Sequence, residues 1–149
     1  MPPRPTVPSR RYLRLLGEVV FAAARLESEV ERQLGKLGAS VPAEVHAGPD
    51  GWRSLDQLAM TLRRDSHRVA ERPVAEYLRY CADVLTEAAD IIDTITRGTP
   101  TAVEREVVLL RQKRSGSRTP ATDKWLQAQT RQLEDLMQGL QKFRARIKA

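Results

Sequence analysis

The order of apolar and polar side chains along the chain predicts long amphipathic helices. In the strongest segment, apolar positions recur in alternating steps of three and four residues from Leu13 to Leu37, and only Glu27 interrupts them. A second apolar row flanks this stripe, at Leu15, Val19, Ala22 and Leu26. A stripe of this width is typical of a helix that packs on more than one neighbour.

Three further segments show helical periodicity. Ser54 and Gln57 have capping-box spacing, which predicts that a second helix begins at Ser54. Proline is tolerated in the first turn of a helix but not in its middle, so a third helix is expected from about Pro73 to Thr96. Thr119 and Pro120 are expected to open a fourth helix, which carries the last apolar stripe of the chain.

The stretch at residues 103–113 admits two interpretations. The segment from Thr101 to Glu104 has capping-box spacing, which favours an extra helix. The run from Val107 to Leu110, followed by basic residues, instead favours a short strand that ends in a basic turn. The predicted fold class is therefore mostly all-α: a bundle of about four helices, with a short strand or an extra helix near residues 103–113.

The first nine residues differ in periodicity from the rest of the chain. Residues 1–9 contain four prolines and no helical repeat, so we expect a flexible proline-rich arm there. Residues 10–149 are expected to form a single helical-bundle domain, because this length supports one hydrophobic core.

The net charge of +6 is unevenly distributed over the 149 residues. Twelve of the 25 basic residues lie within residues 1–14, 111–118 and 142–148, where no carboxylate occurs, and the remainder has 13 basic against 19 acidic residues. Such basic segments favour phosphate backbones or an acidic partner, although ordinary solvated segments have the same composition. A nucleic acid is expected to contact the basic turn through four cations, which are Arg111, Lys113, Arg114 and Arg118.

The sequence contains no motif that indicates catalysis or metal binding. The two histidines and the single cysteine lie in three separate segments, which is not metal-ligand spacing, and glycine-rich phosphate-binding motifs are absent. We therefore expect no metal ion, no cofactor and no catalytic residue of these kinds. Cys81 lies on the apolar face of the third helix and is expected to be a packed thiol in a reducing, cytoplasmic compartment.

Two further expectations concern the longest apolar run and Glu27. The longest apolar run, Val19 to Ala24, is too short to span a bilayer, so no membrane is expected as a partner. Glu27 occupies an apolar slot of the first helix, where an unpaired carboxylate is costly. It is interpreted as a residue at the edge of the stripe or paired with an arginine, or as a polar core position that faces a functional groove.

Residues 10–145 combine a long first helix with an embedded glutamate, a long third helix that ends at Arg97, an apolar and basic segment, and a last helix that opens with a tryptophan. This layout resembles the HEPN superfamily. Its members are small prokaryotic helical bundles that commonly act as RNA-cleaving toxins or as dimeric companions of nucleotidyltransferase-like partners. The segment from Glu104 to Arg114 looks like the extended piece that often follows the family's motif.

The family's signature is an Arg-Asn-x-x-x-His pattern near the end of the third helix. In this register Arg97 supplies the arginine, but Gly98 stands at the asparagine position and Ala102 at the histidine position. The family's histidine and arginine polarise the attacking 2′-hydroxyl and stabilise the charged phosphorane. An alanine at the histidine position removes the proton-transfer group, so the resemblance implies a protein that is not a nuclease by this route.

The combined hypothesis is a catalytically degenerate HEPN-like protein that works by binding, as a regulator or subunit in a bacterial or phage conflict, toxin–antitoxin or defence setting. It is expected to form a homodimer through its long helices. Arg97 joins the four cations of the basic turn as an expected nucleic-acid contact. The alternatives are a small sequence-nonspecific protein that binds RNA or DNA, and a structural adaptor with protein partners only.

Overall fold

The computed structural model describes residues 7–41 and 54–147, which form a mostly helical fold with one small antiparallel sheet. The predicted fold class is confirmed, with strands as the minor component. Residues 1–6 of the expected arm lie outside the described residues. In chain order the elements are α1 (Arg10–Leu37), α2 (Leu55–Ser66), α3 (Arg72–Thr96), β1 (Thr99–Val103), β2 (Glu106–Gln112), β3 (Arg118–Ala121) and α4 (Asp123–Arg146).

Helix α1 buries only part of the row that its strongest periodicity indicated, Ala23, Val30 and Leu34, together with positions of the flanking row. Leu13 and Val20, expected in the core, are 52% and 48% exposed. The buried positions are Tyr12, Leu15, Val19, Ala23, Leu26, Val30 and Leu34. Apolar residues cover much of the circumference of this helix, so periodicity alone does not determine which edge its neighbours α3 and α4 cover.

Helices α2 and α3 begin close to where the sequence predicted. The Ser54 hydroxyl accepts a hydrogen bond from the Gln57 amide, and the Gln57 side chain accepts one from the Ser54 amide, so the expected capping box is present. Pro73 lies in the first turn of α3. In α2, the Asp65 carboxylate is fully buried and pairs with the exposed Arg64 at 3.0 Å, which compensates its charge.

The ambiguous segment forms two strands, and the extra-helix interpretation is wrong. Strands β1 and β2 pair antiparallel, and the loop between them consists of Glu104 and Arg105. Both loop residues have positive φ, at 49° and 72°, as a two-residue hairpin turn requires. The aliphatic run Val107–Leu110 therefore lies in a strand between two partners.

The fourth helix begins later than Thr119 and Pro120, which lie in β3. Pro120 pairs with Leu110 on this edge strand, where a residue without an amide donor is tolerated. Helix α4 begins at Asp123, because the Thr122 hydroxyl caps it by accepting a hydrogen bond from the Trp125 amide at 3.2 Å. The three strands thus occupy the whole connection between α3 and α4.

Two helix pairs enclose an almost entirely aliphatic core. Helix α1 packs mainly on α4, and α2 packs mainly on α3. Tyr77 and Tyr80 of α3 contact the Phe143 ring of α4, with ring centroids 5.6 Å and 5.0 Å apart. Cys81 is buried among these helices, and burial raises the pKa of its thiol to about 12. It is a packed thiol, as expected.

Candidate nucleic-acid interface

The basic turn is a short, closed loop between β2 and β3. The Lys113 amide donates to the Ser117 carbonyl, and the Gly116 amide donates to the Lys113 carbonyl, both at 2.9 Å. Since Lys113 and Ser117 are hydrogen-bonded to each other, residues 114–116 form a three-residue hairpin loop. Gly116 has φ of 89°, a left-handed conformation that favours glycine and is typical of the bulge in such loops. The backbone of this turn is therefore defined by its own hydrogen bonds.

Three of the predicted phosphate contacts lie in or beside this turn with their charges available. Lys113, Arg114 and Arg118 are exposed. Within residues 7–41 and 54–147, none of the three forms an ion pair. The turn consequently concentrates three uncompensated positive charges on a rigid support, which is an arrangement that attracts polyanions.

The other two predicted contacts, Arg97 and Arg111, are held together by Asp93. One carboxylate oxygen of Asp93 lies 3.1 Å from Arg97 Nε and the other lies 2.9 Å from Arg111 Nε. The Arg111 side chain is only 20% exposed and also donates to the Gln112 carbonyl, whereas that of Arg97 is 71% exposed. Arg111 therefore positions the end of β2 against α3, and Arg97 retains surface that a ligand can reach.

Tyr12 attaches the sheet to α1 at the opposite end of β3. Its hydroxyl donates to the Ala121 carbonyl at 2.6 Å and accepts from the Leu109 amide at 2.9 Å. Leu109 and Ala121 are register partners, so the hydroxyl completes this pair of the β2–β3 ladder. Burial raises the pKa of Tyr12, which keeps the donating proton in place. The basic turn is thus tied to the bundle through Asp93 on α3 and through Tyr12 on α1.

Glu27 lies at the edge of the buried stripe and faces a groove. The groove has a volume of about 560 Å³ between α1, the start of α2 and the end of α3, and Asp93 and Arg97 also line it. Among the described residues, Glu27 has no ion-pair or hydrogen-bond partner, and burial, followed by repulsion from Glu31, raises its pKa. The structure thus places Glu27 and Arg97 in one groove but leaves them unpaired with each other.

Arg97 and Ala102, the positions at which the HEPN resemblance would place the motif's arginine and histidine, lie on different elements. Helix α3 ends at Thr96, and Arg97 follows as its cap. Ala102 lies in β1 and pairs with Val107, one residue before the last position of that strand. Since a strand rises about 3.3 Å per residue, β1 carries this position roughly 10 Å from Thr99, away from the Asp93 pair.

Sequence reasoning missed Asp93 and Tyr12, the two residues that position the candidate interface. Asp93 precedes Arg97 by four residues, so the Asp93–Arg97 pair has a local signal, but its bond to Arg111 depends on the path of β2. Tyr12 contacts residues 97 and 109 positions away, for which the chain has no local signal.

No family model, no curated protein and no solved structure matches the chain. In the part of the chain that the structure describes, no helix is long and apolar enough to cross a membrane. The same part contains no group of three or more histidine, cysteine, aspartate or glutamate side chains arranged to hold a metal ion.

Proposed function

We propose that this chain is a catalytically degenerate HEPN-like protein that works by binding, and that its basic β2–β3 turn contacts the phosphate backbone of RNA or DNA. The observation that carries this proposal is the uncompensated charge of Lys113, Arg114 and Arg118 on a closed turn. Phosphate contacts of this kind are insensitive to base sequence, because backbone phosphates are the same at every step.

The anchoring of the turn supports binding there rather than at a chain terminus. A loop whose backbone is already hydrogen-bonded loses less conformational entropy on binding than a free segment does. Arg97 supplies a fifth candidate cation beside Arg111, and Asp93 neutralises part of their charge. The exposed cations of the turn therefore contribute most of the attraction in the proposed complex.

The proposed role is that of a regulator or subunit in a bacterial or phage conflict, toxin–antitoxin or defence setting, acting in the cytoplasm as a homodimer. A nuclease role is not proposed, because Ala102 offers no proton-transfer group and lies on a strand that leads away from Arg97. A protein-only adaptor is the competing hypothesis, and a nucleic-acid titration separates the two.

The test is a titration of labelled RNA and DNA at several salt concentrations with the parent and with a Lys113→Gln, Arg114→Gln, Arg118→Gln variant, called the hairpin variant. Removing one phosphate contact should reduce the slope of log affinity against log salt by about 0.7 to 0.9. This variant, which removes three, should bind more weakly with a slope shallower by about two to three units. The RNA should be recovered uncut. A matched variant removes three exposed cations elsewhere, Arg79→Gln, Arg105→Gln and Arg131→Gln, and should retain most of the affinity.

Equal affinity and equal salt slope in the parent and the hairpin variant would remove the turn from the mechanism. Absence of binding to either nucleic acid at low salt would favour the protein-only adaptor. Robust RNA cleavage that disappears in an Arg97→Ala variant would contradict the binding-only function.

A further inference from the structure

The outer face of α1 next to α4 exposes a large aromatic side chain beside an apolar groove. Phe21 is 65% exposed, although it lies in the middle of the longest helix. The groove beside it has a volume of about 480 Å³, and its apolar part consists of Ala22, Leu133 and Met137. Helix α4 also contributes polar side chains and one carboxylate, Glu134. A partner surface can therefore receive the Phe21 ring and also insert a side chain of its own into the groove.

Charged residues of both signs lie on this face on either side of Phe21 and Ala22. Arg14 and Glu18 precede this pair, and Arg25 and Glu29 follow it, with spacings that place all four on the same side of the helix. Rotation of a second copy by 180° about an axis beside Phe21 and Ala22 places Glu18 opposite Arg25 and Arg14 opposite Glu29. It also places Arg11 opposite Arg32, and each of these two arginines has a carboxylate partner in its own protomer. Glu18 and Arg25 are therefore the pair that an antiparallel contact brings together without displacing Glu29 from Arg32.

Within one protomer Glu29 is already paired with Arg32 at 2.7 Å and its side chain is only 12% exposed, whereas Glu18 and Arg25 are incompletely satisfied. Glu18 lies 3.9 Å from Arg14 Nε, at the limit of an ion pair between two exposed side chains. Arg25 has no ion-pair partner among the described residues. Glu18 and Arg25 are seven residues apart, which separates them by about 10 Å along the helix axis, so they do not pair with each other in the same chain.

We propose that the α1–α4 face around Phe21 binds a second copy of this chain, with α1 antiparallel to α1 across a two-fold axis. Each Phe21 ring then enters the groove of the partner above Leu133 and Met137, and two Glu18–Arg25 pairs flank the axis. Such a contact is isologous: both copies use the same surface, so the dimer leaves no unpaired copy of this surface to bind further chains. The inference takes from the proposed function only that the protein is a homodimer. It does not assume that the protein binds nucleic acid.

The first test is sedimentation of the full chain over a range of concentrations up to about 100 µM, which detects dissociation constants in the micromolar range. The parent should form dimers. Phe21→Lys should shift the population to monomers, whereas Met60→Lys should not, although Met60 is 68% exposed on α2. Both replaced side chains are exposed on helices, so both variants should retain the parental circular dichroism spectrum.

The second test exchanges the charges. Glu18→Arg or Arg25→Glu alone places like charges opposite each other twice per dimer, and each should raise the dissociation constant at least about tenfold. The double variant Glu18→Arg, Arg25→Glu should recover dimerisation. This recovery is diagnostic of contact between copies, because the two positions are too far apart to pair within one helix.

Three outcomes would overturn the inference: a parent that is monomeric throughout this range, dimers that Phe21→Lys does not weaken, or a charge exchange that fails to restore association. The first of these would leave the face to a different protein partner. The nucleic-acid titration with the hairpin variant is a separate measurement, so a monomer that binds RNA through its basic turn contradicts only the dimer surface.

Discussion

At the scale of single residues, Gly98 lies where the chain passes closely between the end of α3 and β2. A Cβ atom at this position would lie 2.7 Å from the Thr94 carbonyl oxygen and 2.9 Å from Leu109 Cβ. The backbone at Gly98 therefore lies so close to the end of α3 and to β2 that only a hydrogen atom fits in place of a side chain. A larger residue at this position, such as the asparagine of the proposed HEPN-like pattern, would not fit this approach of the sheet to α3.

Gly98→Asn and Gly98→Ala are both expected to destabilise the protein by about 1 to 3 kcal/mol, because the added side chain overpacks a close contact. Chemical denaturation followed by circular dichroism measures this loss. Gly35→Ala is the control, since nothing lies within 4 Å of its Cβ position in α1 and alanine should add up to about 1 kcal/mol of stability there. Equal stability of the Gly98 variants and the parent would contradict the proposed steric reason.

At the scale of secondary structure, the β1–β2 hairpin turns through two residues that disfavour its geometry. Glu104 and Arg105 both adopt positive φ, which glycine and asparagine tolerate far better than residues with longer side chains. The strand register nevertheless keeps Val107 and Val108 buried. Core packing of β2 therefore maintains a turn that its own residues do not favour.

Replacing the turn with Asn-Gly, as Glu104→Asn, Arg105→Gly, should raise the stability by roughly 1 kcal/mol, because this dipeptide is the preferred sequence for such turns. A higher midpoint of thermal unfolding would show the gain. The variant Glu104→Ala, Arg105→Ala removes the same charges without relieving the backbone and should show no increase. If both variants gain equally, charge rather than backbone conformation limits the hairpin.

At the scale of the whole molecule, long-range hydrogen bonds hold the sheet and its basic turn against the bundle. Tyr12, at the start of α1, joins β2 and β3, although its two partners are 97 and 109 residues further along the chain. Asp93 joins α3 to the other end of β2 through Arg111. These two contacts make the position of the turn a property of the complete fold.

Tyr12→Phe should cost about 1 to 3 kcal/mol, since it leaves the buried Ala121 carbonyl and the half-buried Leu109 amide without their partner. Hydrogen exchange at Leu109 should accelerate together with the loss of stability. Tyr80→Phe, which removes the hydroxyl of a half-buried side chain on α3, should change neither quantity appreciably. Unchanged protection of the Leu109 amide in Tyr12→Phe would show that the sheet does not depend on this bridge.

The sequence by itself determined the elements whose signals are local. The capping box at Ser54 and Gln57, the proline in the first turn of α3 and the apolar stripes identified four helices. The basic residues after Leu110 indicated the turn that follows β2. Such signals arise from backbone preferences and from contacts within a few residues, which the order of side chains records directly.

Only the tertiary structure decided which edge of the α1 stripe is buried, whether residues 103–113 form strands, and which cations remain available. Leu13 and Val20 are as apolar as their buried neighbours, and their exposure depends on where α3 and α4 lie. Arg111 and Arg114 occupy the same basic segment, yet only Arg111 meets a carboxylate, because β2 brings it to Asp93. Burial and charge pairing depend on elements that are distant in the chain, so periodicity and composition do not contain them.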